Sequence, residues 1–216
     1  QRDITVIGPV NGKLASGMSG IGRMVEVSEI VDTVCAILGR QGDMAGRSVV
    51  VSAGGTQEPI DPVRVITNRS SGKMGYAVAQ AARDRGAKVT LVTASTSIPD
   101  PASMDVWHVN TVAEMREAVL SACVGADALI MAAAVSDYRP SEVASQKIKK
   151  SKDSDELVLH MTKTADFLLE VPEGVMRVGF AAESEDILEN ARKKLREKRL
   201  AIIAANDITA TDSGFN

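Results

Sequence analysis

Apolar positions fall into short continuous runs separated by stretches of helical periodicity. Ser48–Ser52, Val89–Val92, Ala128–Ala133, Met176–Ala181 and Leu200–Ala204 have the length and composition of buried strands. Between them Met74, Ala77, Val78, Ala81 and Ala82 recur at helical spacing and predict a helix ending near Gly86. Thr111 and Glu114 make a Thr-x-x-Glu capping box, which predicts a helix to about Ala122. A basic helix is predicted over about 185–199. Apolar strands alternating with amphipathic helices predict an α/β fold, a mostly parallel sheet with helices on both faces. Folds of this kind bind ligands beyond the carboxyl ends of their strands.

Residues 1–45 read differently. Ile4–Ile7 predicts a short strand, and Gly8, Gly12, Gly17, Gly20 and Gly22 a glycine-dense loop. Val27, Ile30, Val31, Val34, Ile37 and Leu38 then predict a helix that Gly39 and Gly42 end. One strand, one loop and one helix cannot close a core. Residues 1–45 are therefore expected to be the tail of another domain, joined to a domain over 46–216. Lys147–Asp155 is polar and lysine-rich, the composition of a mobile loop.

Charge and composition narrow the partners. A net charge of -3 gives no electrostatic case for nucleic acid or an anionic membrane. Aromatic residues make up 3% of the chain, too few for base-stacking platforms. No apolar run approaches the roughly 20 residues of a membrane span, and Gln1-Arg2-Asp3 does not open a signal peptide. The expectation is a cytoplasmic protein. Cys35 and Cys123 lack metal-ligand spacing and are expected to be two reduced, buried thiols.

The densest candidate chemistry follows the first predicted strand of the larger domain. Ala53-Gly54-Gly55-Thr56 leaves that strand, and Ser70-Ser71-Gly72-Lys73-Met74-Gly75 opens the next helix. Glycines there let backbone amides approach a phosphate, whose charge a helix amino end favours. A Rossmann-like fold is implied, and the loop disfavours a dehydrogenase. Gln57 to Arg69 is too long for the tight G-x-G-x-x-G turn, and the second strand ends Val92-Thr93-Ala94-Ser95 without the acid that holds a ribose.

Three further features carry charge. On the basic helix, Ile187, Leu188, Ala191 and Leu195 form an apolar stripe, and Lys194 and Lys198 fall inside it. A buried ammonium must be paired or meet an anion, and a triphosphate is such an anion; the alternative is that both lysines snorkel from the stripe's edge. Lys147, Lys149, Lys150 and Lys152 form a second cationic run. Asp137, just past a predicted buried strand, suits a ribose, a base, a metal or the cap of a turn.

Taken together these motifs resemble bacterial phosphopantothenoylcysteine synthetases. The stretch from Ala53 to Gly75 is similar to the family's opening signature. Ala132–Tyr138, Lys147–Lys150, Val178–Glu183 and Ala205–Asp207 match further signatures in order, so the resemblance covers 46–216. It implies a CTP-dependent ligase that joins 4′-phosphopantothenate to L-cysteine through an acyl-cytidylate, with magnesium. It also implies a homodimer through the synthetase domain and a chain continuing beyond Asn216. Asn68 matches the asparagine of the cysteine step, and Lys147 the mobile-loop lysine of carboxylate activation. Asn68 is suited either to stabilising an oxyanion or to orienting the amine. CTP-binding positions carry over to Ser70, Gly72, Ala133, Asp137, Lys147, Lys163, Thr164, Ala165, Asp166, Phe180, Lys194 and Lys198. Ala165 stands where relatives usually have proline.

Gly12–Met24 resembles the substrate-covering loop of the partner decarboxylase domain, with Ser16 where many members have a reactive cysteine. The resemblance places FMN and higher oligomerisation in that domain, of which residues 1–45 are expected to be only the end. The metal ligands stay unassigned. A nicotinamide oxidoreductase and a non-catalytic nucleotide sensor are the competing classes.

Overall fold

The computed structural model describes residues 4–150, 156–183 and 185–207. Its strands are β1 (Val10–Lys13), β2 (Ser19–Arg23), β3 (Ser48–Ala53), β4 (Gln57–Pro59), β5 (Val65–Thr67), β6 (Lys88–Thr93), β7 (Asp105–His108), β8 (Ala128–Met131), β9 (Tyr138–Pro140), β10 (Met161–Lys163), β11 (Met176–Glu183) and β12 (Ile202–Asp207). Its helices are α1 (Val27–Gly39), α2 (Lys73–Asp84), α3 (Val112–Ala122) and α4 (Ile187–Glu197). Six strands make one sheet in the order β12-β11-β8-β3-β6-β7, and every adjacent pair is parallel.

Side-chain alternation decides which helix covers which face. Val49, Val51 and Ala53 of β3, with Val89 and Leu91 of β6, pack against Tyr76, Ala79 and Ala82 of α2. Val50 and Val92 point the other way and join Val112, Met115 and Val119 of α3, with Leu129 and Phe167. Leu195 of α4 packs on this second group. Each fully buried valine or leucine contributes about 1.5–3 kcal/mol relative to exposure. Helices thus cover both faces of a Rossmann-like sheet, as the apolar runs predict.

The chain builds outward from β3 through β6 to β7, then crosses back to add β8, β11 and β12 on the other side. The direction reverses between β3 and β8. Beyond the carboxyl ends of those strands nothing in the sheet fills the crevice, which makes it the natural ligand site.

Several elements depart from the sequence expectation, each for a visible reason. β8 stops at Met131 rather than Ala133. The buried Ser52 hydroxyl accepts the Ala133 amide at 3.1 Å, and Ala134 exchanges backbone bonds with Gly54 and Thr56, so the chain peels off the sheet. β12 starts at Ile202 rather than Leu200 because α4 ends in a Schellman turn. Arg199 takes the left-handed position (φ 50), and Leu200 N–H donates to Leu195 C=O at 2.9 Å. Ile4–Ile7 is not a strand; the glycine-dense stretch is itself the antiparallel hairpin β1–β2, with Gly12 opposite Gly20. Helix α1 forms as predicted and leans on α2, where buried Arg83 pairs with Asp32 and Asp84. Its outer side chains, Val31, Val34 and Leu38, stay exposed. For the same reason Cys35 is only half-buried, against the expectation of two buried thiols, whereas Cys123 is fully buried. No helix among the described residues is long and apolar enough to cross a membrane.

Candidate functional site

The two glycine clusters, distant in sequence, meet in space. Strands β4 and β5 pair as an antiparallel hairpin, Gln57 opposite Thr67, which returns the chain to where it left the sheet. Gly72, at φ 77, caps α2 from the left-handed region, and a side chain there would meet Gly54 at 3.4 Å and Thr96 Oγ1 at 3.3 Å. Gly75 lies against β3 so closely that an added Cβ would stand 2.6 Å from that of Ala53. The amino end of α2 is therefore pressed onto the end of the central strand. The Ser70 and Ser71 hydroxyls reach the Gly72 and Lys73 amides only at 3.4 Å. These donors are weakly occupied, and a helix amino end in that state favours an anion.

A cavity of about 890 Å³ opens over this point. One wall carries Asn68, Ser70 and Gly72; a second carries Ala133 and Asp137, then Lys163, Thr164, Ala165 and Asp166; a third carries Phe180, Lys194 and Lys198. The Asn68 Nδ2 donates to Val135 C=O at 3.1 Å and ties the first wall to the second. The β9–β10 pair sets the second wall. Thr164 N–H donates to Asp137 C=O at 2.8 Å, and Thr164 Oγ1 donates to Ser136 C=O at 2.6 Å. Ser136 is buried, and its amide donates to Thr56 Oγ1 at 2.9 Å, so the wall hangs from the first glycine turn.

Lys194 and Lys198 face the cavity but are half-exposed, not buried. Leu188, expected in the same stripe, is 72% exposed. Helix α4 packs mainly on β11 and β12 at the sheet's edge, with Ala191 buried and Leu195 against the core, so a narrow part of the stripe is covered. Lys198 Nζ is 3.1 Å from Asp166 Oδ2, and Asp166 Oδ1 also accepts the Leu168 amide at 3.2 Å. The cavity-facing lysines thus sit at the stripe's wet edge.

Lys147 does not line the cavity; it is exposed, on the segment after β9. Lys152 lies outside the described residues. The residue after Lys147 is anchored, with Ile148 N–H donating to Asp61 Oδ2 at 3.0 Å. Asp61 is buried, and the Arg64 guanidinium beside it holds its carboxyl well below the usual carboxylate range. Burial pushes the Cys123 thiol up to about 11, which leaves it protonated and inert at neutral pH.

Sequence reasoning missed Arg69, Ser71, Lys73 and Asn206, which also line the cavity. Arg69, Ser71 and Lys73 lie inside the quoted signature, so their position beside Asn68 and Gly72 was the available signal. Basic side chains dominate the described lining: Arg69, Lys73, Lys163, Lys194 and Lys198 face only Asp137 and Asp166. No cluster of three or more His, Cys, Asp or Glu gathers among the described residues. A magnesium ion needs only one or two carboxylates when phosphates supply the remaining ligands, and Asp137 fits that need.

A family model, the DNA/pantothenate metabolism flavoprotein C-terminal domain, matches residues 44–216. The chain belongs to this family. The coenzyme A biosynthesis bifunctional protein CoaBC of Vibrio parahaemolyticus is 43% identical over 220 residues, covering 100% of this chain and 55% of that protein. This chain thus spans about half the length of the curated relatives it matches. Among solved structures, the C-terminal domain of a CoaBC is 40% identical with a TM-score of 0.66, covering 75% of this chain and 78% of that one. Cab2, solved with phosphopantothenate-cysteine, is 18% identical with a TM-score of 0.65 over 84% of this chain and 78% of that one, a likeness of fold alone. The resemblance carried by Ala53–Gly75 is borne out at the level of the family.

Proposed function

We propose that this chain is a phosphopantothenate–cysteine ligase domain of coenzyme A biosynthesis. It uses CTP to join 4′-phosphopantothenate to L-cysteine through an acyl-cytidylate, releasing pyrophosphate and CMP. One observation supports this reading most. Side chains scattered from Asn68 to Lys198, assigned to CTP and cysteine chemistry by resemblance, surround one basic cavity at the sheet's switch point.

A free carboxylate does not condense with an amine, because hydroxide is a poor leaving group. In the first step a 4′-phosphopantothenate carboxylate oxygen attacks the α-phosphorus of CTP, and the bond to the β-phosphate breaks. Catalysis of such transfers is chiefly positioning and charge neutralisation. The α2 amides, Lys194 and Lys198 hold the phosphates, and Lys147 closes over them to support activation. Asp137 would hold a magnesium ion together with the phosphates, which supplies further neutralisation. In the second step the neutral cysteine amine attacks the acyl carbon, CMP leaves, and the amide forms as the nitrogen gives up a proton. Asn68 acts there, as oxyanion donor or amine orienter.

Within this reading, residues 46–216 are the synthetase domain, and residues 1–45 are the end of a decarboxylase domain with a linker helix. FMN belongs to that other domain, the synthetase domain dimerises with a second copy, and the enzyme works in the cytoplasm. The test is product analysis by mass spectrometry with CTP or ATP as nucleotide. Phosphopantothenoylcysteine and CMP should appear with CTP and need both substrates. CTP binding without any product would identify a nucleotide sensor instead.

A further inference from the structure

We infer that Asp61 is a positioning residue for Lys147, fixing the backbone root of that lysine to the hairpin that also presents Asn68. This rests on the reading of Lys147 as the activating lysine. Asp61 lies in the turn between β4 and β5 and is 2% exposed. Its Oδ1 accepts the amides of Val63 and Arg64, each at 2.9 Å, and so closes its own turn. Its Oδ2 accepts Arg64 Nε at 3.0 Å, Arg64 Nη2, and the distant Ile148 amide at 3.0 Å. Arg64 Nη2 donates onward to Ile148 C=O at 2.8 Å. One ion pair therefore takes both backbone polar groups of the residue next to Lys147. Upstream, the Ala144 amide donates to Ile60 C=O at 3.0 Å. Lys147 rises from a short arch pinned on both sides to one turn.

The hairpin is a firm base. Glu58, buried on β4, accepts the Val112 amide at 2.7 Å, and the Gln57 amide donates to Asn110 C=O at 2.8 Å, which locks the hairpin to the start of α3. Its other end runs from Thr67 straight into Asn68. The two residues assigned to successive steps thus share one support. The turn needs only Oδ1 of Asp61. Committing Oδ2 and a guanidinium to a peptide unit 87 residues away serves the segment that carries Lys147. A misplacement of about 1 Å in a reacting constellation costs on the order of 100-fold in rate.

The test is a double-mutant cycle on Asp61→Asn and Lys147→Ala. It reads pyrophosphate release in a single turnover, beside CTP affinity measured by calorimetry. Asp61→Asn should slow activation roughly 10- to 100-fold with a much smaller loss of CTP affinity, and should slow it no further in the Lys147→Ala background. Equal slowing in both backgrounds, or a loss confined to CTP affinity, overturns the positioning role. Lys147→Ala at the parental rate overturns the assignment of Lys147 itself, and the role of Asp61 with it. If Asp61→Asn fails to fold, Arg64→Gln enters the same cycle under the same criteria, since its half-exposed side chain holds the other side of Ile148.

Discussion

Asn68 and Lys198 each already hold a protein partner, and those partners shape what their substitutions should do. The Asn68 amide donates one N–H to Val135 C=O, and in the proposed reaction its second N–H is the one that would serve the substrate. In Asn68→Asp the carboxylate cannot donate to Val135 and repels a developing oxyanion. The cysteine step should slow about 10²–10³-fold while acyl-cytidylate accumulates, detected by quenching with all substrates present. Parental product rates would remove Asn68 from that step. Lys198 shares its charge with Asp166 across 3.1 Å, but the pair is half-exposed. Such a pair contributes at most about 1 kcal/mol to stability. Lys198→Ala should therefore leave the urea midpoint nearly unmoved. Losing a charged hydrogen bond to phosphate should weaken CTP binding by about tenfold or more, read by calorimetry.

The contact between α2 and β3 sets the cavity floor, and it rests on the absence of a side chain at Gly75. In Gly75→Ala the new methyl collides with Ala53, so the helix end must lift. The expected loss is about 1–3 kcal/mol in urea denaturation, with weaker CTP binding because the first-turn amides shift too. Thr111→Ala, at a residue that does not line the cavity, should cost about 1 kcal/mol by removing the capping box, with CTP affinity intact.

These two sites also mark what the sequence could disclose. The capping box and the buried runs of β3, β6, β8 and β11 are local patterns, and the sheet follows from them. The hairpins β4–β5 and β9–β10 were not legible, because their strands are three residues long, too short to show a period. The stripe on α4 brings Lys194 and Lys198 to the cavity, but at its half-exposed edge, the snorkelling arrangement rather than the buried one. Helical periodicity gives a face, not how far a neighbouring element covers it. The Asp61–Ile148 link joins residues 87 apart, and no local signal encodes it.

Across the molecule, buried and paired charges make stability depend on pH in a defined direction. Asp61 sits well below its unfolded value through Arg64, and Asp43, Asp127 and Glu170 are lowered through Arg85, the Ser48 amide and Arg116 respectively. In acid the unfolded chain binds more protons than the fold does. The stability these groups contribute is complete above about pH 5 to 6, beyond the unfolded carboxylate values, and drains as pH falls below about 5. Thermal midpoints should drop steeply below that pH in the parent and less steeply in Asp61→Asn. Thiol titration should proceed in two phases, Cys35 first and Cys123 only on unfolding, since Cys123 is buried and protonated. In the proposed function one cavity activates a carboxylate with CTP and then holds the acyl-cytidylate for cysteine. The most direct measurement is a rapid quench with CTP and 4′-phosphopantothenate but no cysteine. About one pyrophosphate per site should form, with a bound species of the mass of the acyl-cytidylate that converts to amide and CMP when cysteine is added. Pyrophosphate release that requires cysteine, with no acyl-cytidylate at any time, would contradict the proposed function.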